Sequence, residues 1–116
     1  MYFRVTTYGF DASRMEEAFA ALEACRDELQ AIDGLQSVHD CQVGEDRGMV
    51  ISRWDSAGAA EAAQPKIQAI MSQMAAFMTS MPEVTAGEVV WDLNGRTFRE
   101  SGSSSKTQVK SSALQA

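Results

Sequence analysis

The sequence predicts an α+β chain of the ferredoxin-like kind, with elements in the order β-α-β-β-α-β. Three observations carry that reading. Two stretches of helical apolar spacing, Met15 to Ile32 and Ile67 to Met81, are set between runs of β-branched and aromatic residues. A turn with two glycines and three charges, Gly44 to Gly48, joins the second and third of those runs as a hairpin. Apolar side chains also fall on both parities of the strands, in Phe3, Val5, Tyr2, Tyr8, Val38, Val50, Ile51, Val89, Val90 and Trp91. A sheet with one face in water alternates more cleanly. The expected architecture is therefore a four-stranded antiparallel sheet with two helices on one face. A second copy of the same sheet is expected on the other, since most soluble oligomers are symmetric homodimers.

Each element has its own signal. Tyr2 to Tyr8 is aromatic and β-branched, and Gly9-Phe10-Asp11 ends it. Ser13-Arg14-Met15-Glu16 has the S-x-x-E form of a capping box, in which the two side chains satisfy orphan backbone N–H groups. A helix of about five turns at 3.6 residues each is expected to follow, with Gly34 as its stop. Leu35 to Val43 reads as the second strand, with Leu35, Ser37, His39, Cys41 and Val43 on one face. Met49 to Trp54 reads as the third. Asp55 and Ser56 are good N-cap types for a short helix from Ala57 to Gln64. Pro65 breaks that helix, because proline removes a hydrogen bond and clashes with the preceding turn. A longer helix then carries Ile67, Ile70, Met71, Met74, Phe77, Met78 and Met81, and Pro82 closes it. Glu88 to Leu93 reads as the fourth strand.

The 116 residues make one domain, placed at 1–94, with a Ser-rich, flexible tail at 95–116. The net charge of −6 is unevenly spread. Residues 1–94 hold 15 acidic and 6 basic side chains, and the remainder holds 1 and 4. An acidic body argues against nucleic acid, whose affinity comes from Lys and Arg neutralising phosphates. No apolar run approaches the roughly 20 residues of a membrane span. Met1 to Val5 lacks the order of a secretory signal. Two cysteines, Cys25 and Cys41, suit a reducing compartment, so a cytoplasmic protein is expected.

Few residues invite chemistry. There is no glycine-rich phosphate loop, G-x-S-x-G, C-x-x-C or H-E-x-x-H. His39 is the one histidine, and with Cys41 it makes only two potential ligands, so no metal site and no cofactor is expected. His39 and Tyr8 are candidate proton handlers, His39 because histidine titrates near neutrality. Trp54 is a core plug or the wall of a pocket that Arg53 helps to orient. As strand neighbours, those two point to opposite faces unless a bulge intervenes. Met74 and Phe77 are core filler or the soft lining of a pocket for a flat apolar ligand.

The stretch VISRWDSAGAAEAAQPKIQAIMSQM resembles the antibiotic-biosynthesis-monooxygenase-like family of dimeric α+β barrels. Trp54-Asp55-Ser56 is similar to that family's aromatic-plus-serine turn, Ala59-Ala60-Glu61-Ala62 to its helix start and Pro65 to its helix break. DGLQSVHDCQ resembles its entry into the second strand, and the resemblance covers about residues 1–94. It implies a homodimer with two sheets facing each other, and a pocket in each subunit between sheet and helices. It also implies, for some members, oxygenation of aromatic polyketides or quinols with no metal or flavin. In those members an electron-rich phenolate reacts with oxygen itself, and the protein binds, deprotonates and shields it. Haem-degrading members use an Asn on the first strand, a Trp, and a His on the second helix. This chain has Thr6 and Thr7 on the strand and no helix His, so haem degradation is not expected. Many members also carry a His before the proline break, where this chain has Ala63-Gln64. Only Trp54 matches a family position; His39 and Tyr8 are candidates on their own chemistry. Three functions stay open: a cofactor-independent monooxygenase of a small aromatic or quinol-like molecule, a non-catalytic dimeric binding or stress-associated module, and an isomerase or lyase.

Overall fold

The structure, a computed structural model, describes residues 1–95. The expected tail lies, from residue 96 on, outside the described residues. Four strands, β1 (Tyr2–Gly9), β2 (Leu35–Gly44), β3 (Arg47–Trp54) and β4 (Glu83–Glu88), form one antiparallel sheet in the order β2-β3-β1-β4. Four short helices, α1 (Met15–Ala24), α2 (Arg26–Gln30), α3 (Ala57–Ala62) and α4 (Gln64–Met74), fill the two helical positions in pairs. The fold is ferredoxin-like α+β, with helices over one side of the sheet.

Register divides the sheet into two faces, because paired residues on adjacent strands share a side. Tyr2 pairs Trp54, Thr6 pairs Val50 and Tyr8 pairs Gly48. That face meets the helices: Tyr2 packs on the core around Trp54, and Arg4 Nη1 donates to Gln64 Oε1 of α4 at 3.0 Å. The opposite face carries Phe3 beside Arg53, Val5 beside Ile51 and Thr7 beside Met49.

The hairpin turn is tighter than the sequence suggests. Gly44 already pairs with Arg47, so only Glu45 and Asp46 turn the chain. The register also shifts between Leu35 and Ser37, against Trp54 and Arg53. This bulge corrects the expected strand face. Leu35 joins the core around Trp54, whereas Ser37, His39 and Cys41 take the open side.

The first helix differs from expectation at both ends. No Ser13–Glu16 box forms; Asp11 caps a 3-10 turn (Ala12–Arg14), its carboxylate accepting from the Ser13 N–H at 3.0 Å. Glu16 and Glu17 then occupy the first turn of α1, where the helix dipole favours negative charge. The helix is interrupted at the fully buried Cys25 before α2 continues. The helix ends at Gln30 rather than at Gly34, which takes its positive φ (85°) in the turn that Leu35 N–H closes on Ile32 O; a Cβ there would meet Ala59 Cβ at 2.5 Å. The second helical region follows its signals closely. The Ser56 side chain caps α3 by accepting from Ala59 N–H, and Pro65 sits in the first turn of α4, where its missing N–H costs nothing.

Two expectations fail at the C-terminal side. The apolar stripe does not continue as helix to Met81. Helix α4 ends at Met74, and a 3-10 turn (Ala75–Phe77) follows. There the Phe77 carbonyl accepts from Asp11 N–H at 2.9 Å and the Ala76 carbonyl from Arg14 Nη1 at 3.2 Å. Contacts with the start of the first helical region thus replace another helical turn. The fourth strand is Glu83–Glu88, not Glu88 to Leu93. Thr79 N–H donates to Gly9 O, and Gly9 N–H to Ser80 Oγ, both at 3.0 Å. The chain is therefore already beside the end of β1 at residues 79–80 and pairs from there. Val89 N–H to Met1 O, at 2.9 Å, is the last contact of that ladder. Strand propensity in Val89-Val90-Trp91 is overridden by where the connection delivers the chain.

Candidate functional site

The site grows from one pair of residues. Tyr8 is the last large side chain of β1 on the helix-facing side, and its register partner is Gly48. A Cβ at Gly48 would lie 2.4 Å from Tyr8 Cζ, so the phenol ring lies flat across β3 where there is no side chain. Its hydroxyl thereby reaches across to β2 and donates to the Asp40 carboxylate, at 2.7 Å to Oδ1 and 3.0 Å to Oδ2.

Electrostatics follow from that position. Burial of the half-buried Tyr8 ring, then the hydrogen bond and charge of Asp40, push the phenol well above its ordinary pKa. Tyr8 is thus a neutral donor at any physiological pH. Asp40 is shifted upward as well, because partial burial of the carboxylate outweighs the lowering effect of the Tyr8 hydrogen bond. The residue as a whole remains exposed, so its proton has a route to water.

Beside this pair is an apolar cavity of about 100 Å³. Val50 and Gly48 form its floor, Met15, Phe19 and Leu22 come from α1, and Met71, Met74 and Phe77 close the far side. Arg14 stacks over the Phe77 ring at 4.7 Å and ties the two helical regions together there. A wider groove of about 580 Å³ runs between α1–α2 and β2, past Leu29, Gln30, Gln36 and Val38. Phe19, Leu22 and Asp40 belong to the walls of both spaces. Among the described residues, no three His, Cys, Asp or Glu side chains converge as a metal site would require.

No family model matches the chain, and no curated protein matches it in sequence. Solved structures match it in shape. A Deinococcus radiodurans protein described as a "putative antibiotic biosynthesis monooxygenase" superposes with a TM-score of 0.67 at 16% identity, over 83% of this chain and 99% of that one. A Caulobacter crescentus protein of the same description gives 0.67 at 14% identity, over 78% and 90%. Rv0793 from Mycobacterium tuberculosis gives 0.64 at 16%, over 80% and 98%. The domain is antibiotic-biosynthesis-monooxygenase-like in fold.

Within this domain the candidates named from sequence separate into two groups. Tyr8, Met74 and Phe77 meet at the cavity. His39, Arg53 and Trp54 do not line it. His39 pairs with Ile51 on the open sheet face and is exposed there. Arg53 shares that face, and its Nε is buried with no hydrogen-bond partner among the described residues. Trp54 is 1% exposed at the other end of the helix-facing side, packed among Cys25, Ile32, Ala60 and Ile70. Its indole N–H donates to Ser52 Oγ at 2.9 Å, which satisfies the one polar atom it buries. The aromatic-plus-serine turn is accordingly a structural device: Trp54 plugs the core, Asp55 N–H donates to Gly34 O at 2.8 Å, and Ser56 caps α3.

Asp40 is the residue that sequence reasoning missed. The signal was its type: aspartate is depleted in strands, and this one sits mid-strand. A carboxylate there wants a partner, and Tyr8 is that partner.

Proposed function

We propose that this protein binds a small aromatic or quinol-like molecule with a hydroxyl against the Tyr8–Asp40 pair and oxygenates it without metal or flavin. The observation that carries the reading is one carboxylate, Asp40, accepting from the Tyr8 hydroxyl at 2.7 Å at the rim of a pocket walled mainly by apolar side chains. Asp40 takes a proton from the ligand hydroxyl and passes it to solvent. Tyr8 then donates its hydrogen bond to the oxygen that develops charge. Phe19 and Leu22, beside Asp40, keep water from the oxyanion while the ring meets dioxygen. The stoichiometry closes without another reductant: a benzene-type quinol and O₂ give a hydroxyquinone and water. The two electron pairs needed to reduce O₂ come from the ring.

The test is oxygen uptake by the purified protein with simple quinols in the presence of a chelator. Chelator-resistant, quinol-dependent uptake is expected, and Asp40→Asn should lower it by roughly 10²–10⁴-fold, the usual worth of a positioned acid–base group. Uptake that disappears with chelator overturns the cofactor-free reaction.

One observation favours a second reading, a non-catalytic binding module. Tyr8 and Asp40 satisfy each other, and the cavity is smaller than the roughly 150 Å³ that holds a benzene ring. A quinol that raises the melting temperature without oxygen uptake would select it. At about 100 times its dissociation constant, such a ligand adds roughly 2.7 kcal/mol.

The same proposal includes a homodimer through the open sheet face, in a reducing, cytoplasmic setting that suits two free cysteines. Support comes from Phe3, Val5, Met49 and Ile51 on a side the described helices leave uncovered, and from the unpartnered Arg53 Nε beside them. Val5→Asp should give a monomer by sedimentation; an unchanged mass would remove the sheet face from the interface.

A further inference from the structure

The cavity and the groove are usually the kind of spaces read as two sites. Here they share three wall residues, Phe19, Leu22 and Asp40. Their characters differ. The inner space is lined mainly by methionine, phenylalanine and leucine side chains. The outer one mixes Leu29 and Leu35 with Gln30, Gln36 and Arg26. The Tyr8–Asp40 hydrogen bond stands where the two meet.

Size decides what goes where. A cavity of about 100 Å³ holds three or four groups the size of a water or methylene, each taking roughly 30 Å³. A six-membered ring with a substituent needs more. The groove, at about 580 Å³, takes a ring readily. A ring in the groove with a hydroxyl at Asp40 still leaves the inner cavity beside it to be filled. Leaving it empty forfeits contacts with every methionine around it.

We infer that the joined cavity and groove take an alkyl-substituted phenol or quinol, with the ring in the groove, a hydroxyl on Asp40 and a neighbouring alkyl branch of about three to four carbons in the methionine-lined cavity. This rests on the function proposed above and narrows its ligand class. Met15, Met71, Met74 and Met78 suit a flexible branch because their unbranched side chains adjust to its shape. The groove edge supplies a polar partner, Gln30, for further ring substituents.

The experiment is anaerobic calorimetry of the full chain with hydroquinone and its 2-methyl, 2-propyl, 2-butyl and 2-octyl derivatives. Affinity should rise about fourfold per added carbon, the factor equivalent to about 0.8 kcal/mol per buried methylene. It should level off between propyl and butyl. Val50→Phe fills the inner cavity from its floor and should abolish the chain-length gain. Hydroquinone binding with no gain along the series overturns this inference and leaves the proposed function standing. A gain that continues unbroken to octyl also overturns it, since the cavity would then not be the compartment that is read. No binding by any member overturns the proposed function and this inference with it. The wild-type series decides the matter even if Val50→Phe fails to fold.

Discussion

The two ends of the space between sheet and helices are built from similar materials and end up opposite in character. At one end Tyr2, Trp54, Cys25, Ile32 and Ile70 close into a dry core with no polar side chain buried. At the other, Tyr8 faces methionines and phenylalanines that leave a cavity open. Both ends rest on the same strand, with aromatic residues six apart on one face of β1. The difference lies in what stands opposite each ring. Tyr2 is paired with Trp54, whose indole fills the gap and finds its hydrogen bond two residues away on Ser52. Tyr8 is paired with Gly48, so the ring drops onto β3 and nothing replaces the volume it vacates. Large opposite large seals the space; large opposite glycine opens it.

The strongest way to break this comparison is to remove the plug. Trp54→Ala should cost about 3–5 kcal/mol, the usual range for truncating a buried aromatic. For a domain of ordinary stability, about 5–15 kcal/mol, that is much of the total. Tyr8→Phe at the open end should cost far less, because it removes a hydroxyl whose partner Asp40 still reaches water. Urea unfolding of both variants makes the test. Similar losses would mean that the two ends are one cooperative core and that the cavity bears load.

A smaller effect sharpens the comparison. Gly48→Ala places a methyl where Tyr8 Cζ now lies, so the ring must lift and the Tyr8–Asp40 bond is lost. Overpacking of this kind costs about 1–3 kcal/mol. The quinol-induced rise in melting temperature should vanish with it. A Gly48→Ala protein that still binds would show that Tyr8 need not lie flat for the site to work.

Much of this architecture could be read in advance, and the reasons that parts could not are local. Pro65 and Ser56 announce themselves, because the physics of a missing N–H or a capping hydroxyl acts within one turn. The resemblance carried by the Trp54-Asp55-Ser56 turn pointed to the fold that the solved structures share. Strand propensity points to Val89-Val90-Trp91 for the fourth strand, while the contacts of Thr79 and Ser80 with Gly9 decide where pairing begins. Those contacts join residues about seventy apart, beyond the reach of any local pattern. Asp40 is hidden from a sequence reading for a related reason. Which parity of β2 faces the helices is set by register with β3, and a bulge at Leu35 moves that residue across. Once Asp40 is known to pair with Val50, it must share a face with Tyr8 and His39 must not.

The smallest expected effect is a shift along the pH axis, and its sign follows from the balance at Asp40. Burial raises this carboxyl's pKa and the Tyr8 hydrogen bond lowers it, with burial the larger. Because the folded value lies above the unfolded one, the folded state binds more protons between them. Asp40's contribution to stability is thus fully present below the ordinary aspartate pKa and is lost as pH rises through the folded value. Asp40→Asn should remove that component of the slope. Tyr8→Phe does something different: it deletes the one influence that lowers the pKa and leaves most of the burial. The Asp40 titration, followed by carboxyl-carbon NMR, should therefore move to higher pH in Tyr8→Phe. The acidic limb of any quinol-dependent activity should move with it, since the base must be ionised to accept a proton. If the titration stays in place while the limb moves, the limb belongs to another group and Asp40 is not the base. If both stay in place, the hydrogen bond contributes nothing to tuning the carboxylate. Tyr8 would then be a wall of the cavity, as Met74 and Phe77 are, rather than the partner that sets Asp40's chemistry.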